Sequence, residues 1–221
     1  MMLPNVQHTM TRTALALILL VFLLTAFFIN PDPIQAIGNP DGNLPSFADF
    51  RWAVQNGDPT VLRGVYVPDV LALPIVQQPL GSPWYVSNKD DQVTQFSMAS
   101  QLGNVGLLAH NTLSGKYFSQ LGVGQEVRLI YGDGRVEYSV IKSIRRFYAL
   151  DPRSPFSDFQ DLETDVTVSA EELFNQVYRG ERHVTFQTCI SANFNASWGR
   201  LFVIAEPTQM SALGNRRDAF P

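Results

Sequence analysis

Gln125-Glu126-Val127-Arg128-Leu129-Ile130-Tyr131 and Arg135-Val136-Glu137-Tyr138-Ser139-Val140-Ile141-Lys142-Ser143-Ile144 flank Gly132-Asp133-Gly134. The Asp-Gly pair supplies the positive φ angles of a tight turn, and both flanks are rich in strand-forming residues, so 125–144 is expected to be a β-hairpin. No helix signal follows the glycines, which excludes a phosphate-binding loop. Working outward, Leu62 to Val67, Val70 to Val76, Val105 to Ala109, Arg182 to Ile190 and Arg200 to Ala205 give further strand signals separated by turns. Helix signals are few. Ser46-Phe47-Ala48-Asp49 has a capping-box pattern with Phe47, Phe50 and Val54 on one face, and Asp58-Pro59 closes that helix. A short helix is expected around Gly115 to Leu121. A longer one opens at Ser169-Ala170-Glu171-Glu172, with Ala170, Leu173, Phe174 and Val177 as its buried stripe and Gly180 as its stop. Residues 151–165, carrying Pro152, Pro155 and five Asp or Glu, are expected to form a long exposed loop. Roughly seven or eight short strands with so few helices predict an all-β fold, an antiparallel barrel or sandwich, and exclude alternating βαβ units.

The chain has 221 residues, 45% of them apolar and 11% aromatic, enough to pack a core for one domain with appendages. A net charge of -4 leaves no basic footprint, so no nucleic-acid partner is expected. Ala14 to Ile29 is apolar apart from Thr25, with Arg12 and no acidic residue before it, which is an export signature. As a helix this run covers about 24 Å against a hydrocarbon core of about 30 Å, so a membrane anchor and a signal peptide both stay open. Ala36 is a candidate cleavage point, but Ile34 suits it poorly, which favours an uncleaved anchor. Arg12 on one side and Asp32 and Asp41 on the other orient the body outside the cell. Pro31, Pro33, Gly38, Pro40, Gly42 and Pro45 make 30–45 a tether. The expected organisation is an anchor or signal peptide over 1–29, that tether, a folded domain over 46–207 and a tail over 208–221.

Cys189 is the only cysteine of this chain. Outside the cytoplasm a lone thiol pairs with another chain, sits inert in the core, or reacts. Val184, Phe186, Thr188 and Ile190 alternate with Thr185, Gln187 and Cys189, so the sulfur is expected on the polar face of a half-buried strand. A reacting thiol needs a proton partner and something to hold an oxyanion. Of the three histidines, His8 precedes the apolar run. His183 lies on the strand of Cys189 but six residues away, about 20 Å along it. His110, where the strand 105–109 opens into a turn, is left as the candidate. Arg200 begins the strand after the cysteine. If the two strands pair antiparallel it shares the cysteine's rim, where a fixed charge lowers a thiol pKa and a guanidinium fork donates to a carbonyl oxygen.

His110, then Cys189 closing Thr185-Phe186-Gln187-Thr188-Cys189, then Arg200 in Trp198-Gly199-Arg200-Leu201-Phe202-Val203-Ile204, is an order that resembles the sortase family of cysteine transpeptidases. Val65-Tyr66-Val67-Pro68, Leu73-Pro74-Ile75-Val76 and the positions Phe118, Leu121, Gly122 and Gly124 are similar to family segments as well. The family usually carries Leu where this chain has Phe186, a conservative change on the core-facing side. The resemblance implies a closed eight-stranded β-barrel with two or three short helices. It implies Cys189 as nucleophile, His110 as general acid and Arg200 as carbonyl or oxyanion donor. It further implies cleavage of a C-terminal sorting signal on exported proteins through a thioacyl intermediate, and transfer to an amine of a cell-wall peptide or a pilin lysine. Its class is not determined by these residues, and no cofactor is expected. Two other readings stay open: a thiol peptidase that hydrolyses, and a catalytically silent barrel that binds peptide or wall components. Asp158, Asp161, Glu163 and Asp165 raise a calcium site, but no Asp-x-Asp-x-Asp-Gly pattern pins a loop, so no metal is assigned.

Overall fold

The computed structural model describes residues 44–154 and 156–208. The anchor or signal peptide over 1–29, nearly all of the tether and the tail from 209 onward lie outside the described residues. Ten strands form one sheet: β1 Leu62–Val67, β2 Leu71–Gln77, β3 Val93–Phe96, β4 Val105–Leu108, β5 Glu126–Tyr131, β6 Val136–Ala149, β7 Phe159–Asp161, β8 Thr167–Val168, β9 Val184–Ala192 and β10 Asn195–Pro207. Their order is β10-β9-β4-β3-β2-β1-β5-β6-β7-β8, and β6 also pairs with β10. That last pairing closes the first eight strands of the order into a barrel and leaves no edge among them. β6 runs for 14 residues because it serves three neighbours: β5, β10 and, past the end of β5, β7.

The expected hairpin at 125–144 is present, with Ile130 opposite Val136 and Gly134 at φ 85° in its turn. Two features differ from the expectation of antiparallel pairing alone, since β2–β3 and β4–β9 are parallel. Each of these needs a long connection, and the first is the loop 78–92. The region 151–165 is not wholly an exposed loop either. Phe159 and Asp161 are buried in β7, because Phe159 packs with Phe147 and Phe202 while Arg145 Nη2 holds the Asp161 carboxylate at 2.8 Å. Asp161 also accepts from the backbone N–H groups of Glu163 and Thr164, so that carboxylate serves the turn.

Three helices flank the barrel: α1 Phe47–Val54, α2 Ser97–Gln101 and α3 Ala170–Tyr178. Residues Ser114–Gln120 form a 3-10 turn at the expected position. Ser46 caps α1 and Ser169 with Glu172 makes a full capping box on α3. The barrel interior is aliphatic, with Val65, Ile75, Leu107, Leu129 and Val203 all fully buried around Phe118 and Phe186. Outside it, Leu173, Val177 and Tyr178 of α3 pack on Phe147, Phe159 and Phe202.

Arg182 joins the β4 and β9 end of the barrel to the hairpin by donating to both carboxylate oxygens of Glu137, at 3.0 and 2.9 Å. Burial works against the Glu137 carboxylate, but the Arg182 hydrogen bonds outweigh it and hold the pKa below the ordinary glutamate value. A depressed folded value gives stability that is present above the unfolded pKa, about 4.3, and lost as pH falls through the folded one. Acid titration of Glu137→Gln by urea unfolding is therefore expected to show a shallower loss below about pH 4 than the parent. At neutral pH the variant is expected to be less stable by about 1–3 kcal/mol.

Candidate active site

Cys189 and Arg200 face each other across the β9–β10 hairpin as register partners. On its other edge β9 lies parallel to β4, with Leu108 level with Gln187. The contact continues past the end of β4: Ala109 N–H donates to Gln187 O at 3.3 Å, and Thr188 Oγ1 donates to Ala109 O at 2.8 Å. Carried on by one residue, that register puts Ala109 beside Thr188, and His110 follows in the turn at the Cys189 end of β9. β10, β9 and the turn that follows β4 thus bring Arg200, Cys189 and His110 to one end of the barrel.

The turn that carries His110 is held from several sides. Its carbonyl accepts from the N–H groups of Leu113 and Gly115, at 2.9 and 3.0 Å. Asn111 Nδ2 donates to Ser191 Oγ at 2.7 Å and to Ala196 O at 2.9 Å, tying the turn to the cysteine hairpin. Gly115 is required by close approach, since a Cβ there would lie 2.3 Å from Thr188 Oγ1 and 2.8 Å from Ala109 O. Gly115→Ala is expected to cost about 1–3 kcal/mol in thermal unfolding, because the clash is with backbone and a buried hydroxyl. None of these holding contacts was foreseen, and only the glycine gives a hint of them in the chain itself.

His110 is exposed and Cys189 half-buried. The thiol is on the face of Thr185 and Gln187, opposite Phe186, which is fully buried in the barrel as its alternation predicts. Arg200 Nη1 donates to Ser197 O at 3.0 Å and to Gly199 O at 2.9 Å. Its Nε and Nη2 make no hydrogen bond among the described residues, so part of the fork is open to a ligand. Among the described residues no carboxylate pairs with it. His183 has a different position altogether: it is buried, with Nδ1 at 2.7 Å from Glu181 O and Nε2 at 2.9 Å from Val177 O. It joins α3 to β9 and does not approach the cysteine's end of that strand.

The solved structures similar to this chain include sortases. Sortase A of Listeria monocytogenes is 12% identical over 68% of this chain and 88% of that one, with a TM-score of 0.43. Sortase C-1 from Actinomyces oris is 18% identical over 75% and 82%, with a TM-score of 0.45. Sortase C of Clostridium perfringens with the C-terminal cell wall sorting motif is 17% identical over 70% and 73%, also at 0.45. No family model matches the chain, and no curated protein does. The barrel closure and the convergence of the three residues rest on the strand order and register described above.

Two cavities, each of about 320 Å³, flank this end of β9 and β10. One is a groove between α3 and the outer face of the sheet, walled by Trp84, Phe96, Phe174, Tyr178 and Phe202 and reaching Arg200. Tyr178 Oη donates to Gln187 Oε1 in its floor, and complete burial of that phenol pushes its pKa up, keeping it a neutral donor. The other cavity opens at the barrel mouth and contains Cys189 in its lining. Phe96 and Trp84 come from segments in which no element was expected, so these walls were missed. Among the described residues no group of three or more His, Cys, Asp or Glu is placed to hold a metal ion.

Proposed function

We propose that this chain is a sortase-like cysteine transpeptidase. The observation that supports the reading is Arg200 on β10 as register partner of Cys189 on β9, with the turn of His110 following β4 on the other edge of β9 and an aromatic groove alongside. A peptide extended in the groove presents a carbonyl to the Cys189 thiolate. The sulfur bonds to the carbonyl carbon, the C–N bond breaks, and His110 passes a proton to the leaving amine. Arg200 donates its open N–H groups to the oxygen as negative charge develops. The product is a thioacyl enzyme, which an acceptor amine resolves to a new amide. Transfer is the reading preferred over hydrolysis; the donors are exported proteins bearing a C-terminal sorting signal, and the acceptor is an amine of a cell-wall peptide or a pilin lysine.

The test is mass spectrometry of the full chain incubated with sorting-signal peptides. An acyl adduct on Cys189 that is discharged by an added amine as the amide supports the reading. Discharge only as the free acid makes the protein a hydrolase. A thiol that reacts with methyl methanethiosulfonate only in denaturant makes it a silent barrel.

The apolar run Ala14 to Ile29 supports a single N-terminal anchor with the barrel outside the cell. Among the described residues no helix is long and apolar enough to cross a membrane, so the anchor is assigned from that run alone. The mature protein is expected in the membrane fraction with Met1 to Ile29 retained. N-terminal sequencing that begins near Ile37 would overturn this.

A further inference from the structure

The cavity at the barrel mouth differs in kind from the aromatic groove. Two adjacent cross-strand rows run over β6, β10 and β9: Phe147, Arg200 and Cys189, then Arg146, Leu201 and Thr188. Because neighbours along a strand point to opposite faces, the first row faces α3 and the second faces the barrel mouth. The cavity is lined by the second row together with Asn111, Lys116 and Ser191, and by Cys189 itself. Its lining contains two cations, Arg146 and Lys116, and no carboxylate. Lys116 Nζ is already bonded to Asp90, at 3.0 and 2.8 Å. Arg146 is exposed, and its guanidinium has no hydrogen bond or ion pair among the described residues. An unpaired guanidinium in a carboxylate-free pocket whose lining includes the nucleophile is suited to holding an anion.

We infer that this cavity is the acceptor subsite, and that it takes an amine carrying an anionic group, carboxylate or phosphate, which Arg146 binds while the amine nitrogen reaches the thioester on Cys189. This rests on the transpeptidase reading. The acyl group lies on the Arg200 side and the acceptor enters from the Arg146 side, so both substrates reach one sulfur without sharing a pocket. In the transfer the amine nitrogen bonds to the thioester carbon and the C–S bond breaks. Sulfur leaves as thiolate, and neutral His110, having given its proton to the first leaving amine, takes the one the acceptor nitrogen loses. Lys116 is neutralised by Asp90, which leaves Arg146 as the cation that holds the anion.

The experiment follows modification of Cys189 in the full chain by methyl methanethiosulfonate, a neutral reagent, in the presence of three amines. Glycyl-glutamate supplies a carboxylate, O-phosphoethanolamine a phosphate, and glycinamide no anion. Protection by one or both of the anionic amines and not by glycinamide is expected, and the better protector names the anion. Arg146→Gln is expected to abolish that protection, whereas Lys142→Gln, an equal charge change on the exposed part of β6, is expected to keep it. As a second measure needing no ligand, Arg146→Glu is expected to shift the rate ratio of anionic to cationic methanethiosulfonates by about tenfold towards the cationic reagent at low salt. Equal protection by glycinamide, or protection that survives Arg146→Gln, overturns the subsite. If protection behaves as expected but no sorting-signal peptide ever acylates Cys189, the transpeptidase reading fails and an anion site without an acceptor role remains.

Discussion

Replacing His110 with glutamine is expected to reduce thioacyl formation by about a hundredfold to ten-thousandfold, the range lost with a general acid. Glutamine cannot deliver a proton to the leaving amine. The ring of His110 is exposed and makes no hydrogen bond among the described residues, so its removal is expected to leave the melting temperature nearly unchanged. His183→Gln gives the opposite pattern. Its buried ring reaches two backbone carbonyls at the α3–β9 junction, so the variant is expected to lose about 1–3 kcal/mol of stability while the folded fraction acylates at close to the parent rate. Single-turnover acylation and thermal melting of both variants make the comparison. An inactive His183→Gln beside an active His110→Gln would show that the proton partner has been misassigned.

The guanidinium of Arg200 is expected to matter through its shape as well as its charge. Nη1 is fixed by Ser197 O and Gly199 O, which aims the rest of the fork and spares Nε and Nη2 for the substrate oxygen. If those groups hold the developing oxyanion, Arg200→Lys keeps the charge but loses the fork, and fails nearly as badly as Arg200→Ala. The expected loss is about a hundredfold to a thousandfold in acylation rate, or about 3–4 kcal/mol of transition-state stabilisation. If the residue acts only by attracting the thiolate, a point charge suffices and lysine restores most of the rate. Arg200 is half-buried with solvent at hand, and both variants are expected to melt within a few degrees of the parent. A large fall in melting temperature together with lost activity would make it a residue of the fold and leave Cys189 and His110 as the reacting pair.

What was legible in the chain follows from local physics. Period-two alternation around Phe186 places that ring in the barrel and Cys189 on the other face, and the structure agrees because a strand's pleat allows nothing else. Asp133-Gly134 demands its hairpin, and Ser169 with Glu172 demands the start of α3, for equally local reasons. The strand offset between His183 and Cys189 excludes that histidine by distance alone. Tertiary structure decided the rest. The parallel pairing of β4 with β9 joins residues nearly eighty apart in sequence, and it alone brings the turn of His110 to the cysteine. The clasp of Asn111 on Ser191 and Ala196 and the close packing of Gly115 on Thr188 depend on that pairing. Phe159 and Asp161 lie in a stretch whose prolines and acids signal a loop, and they are buried because β6 outruns β5 and offers them an edge. Arg146, on the long strand β6, comes to line the same cavity as Cys189 only when β6 closes the barrel onto β10, since a sequence prescribes which face a residue takes but not which distant strand lies across from it.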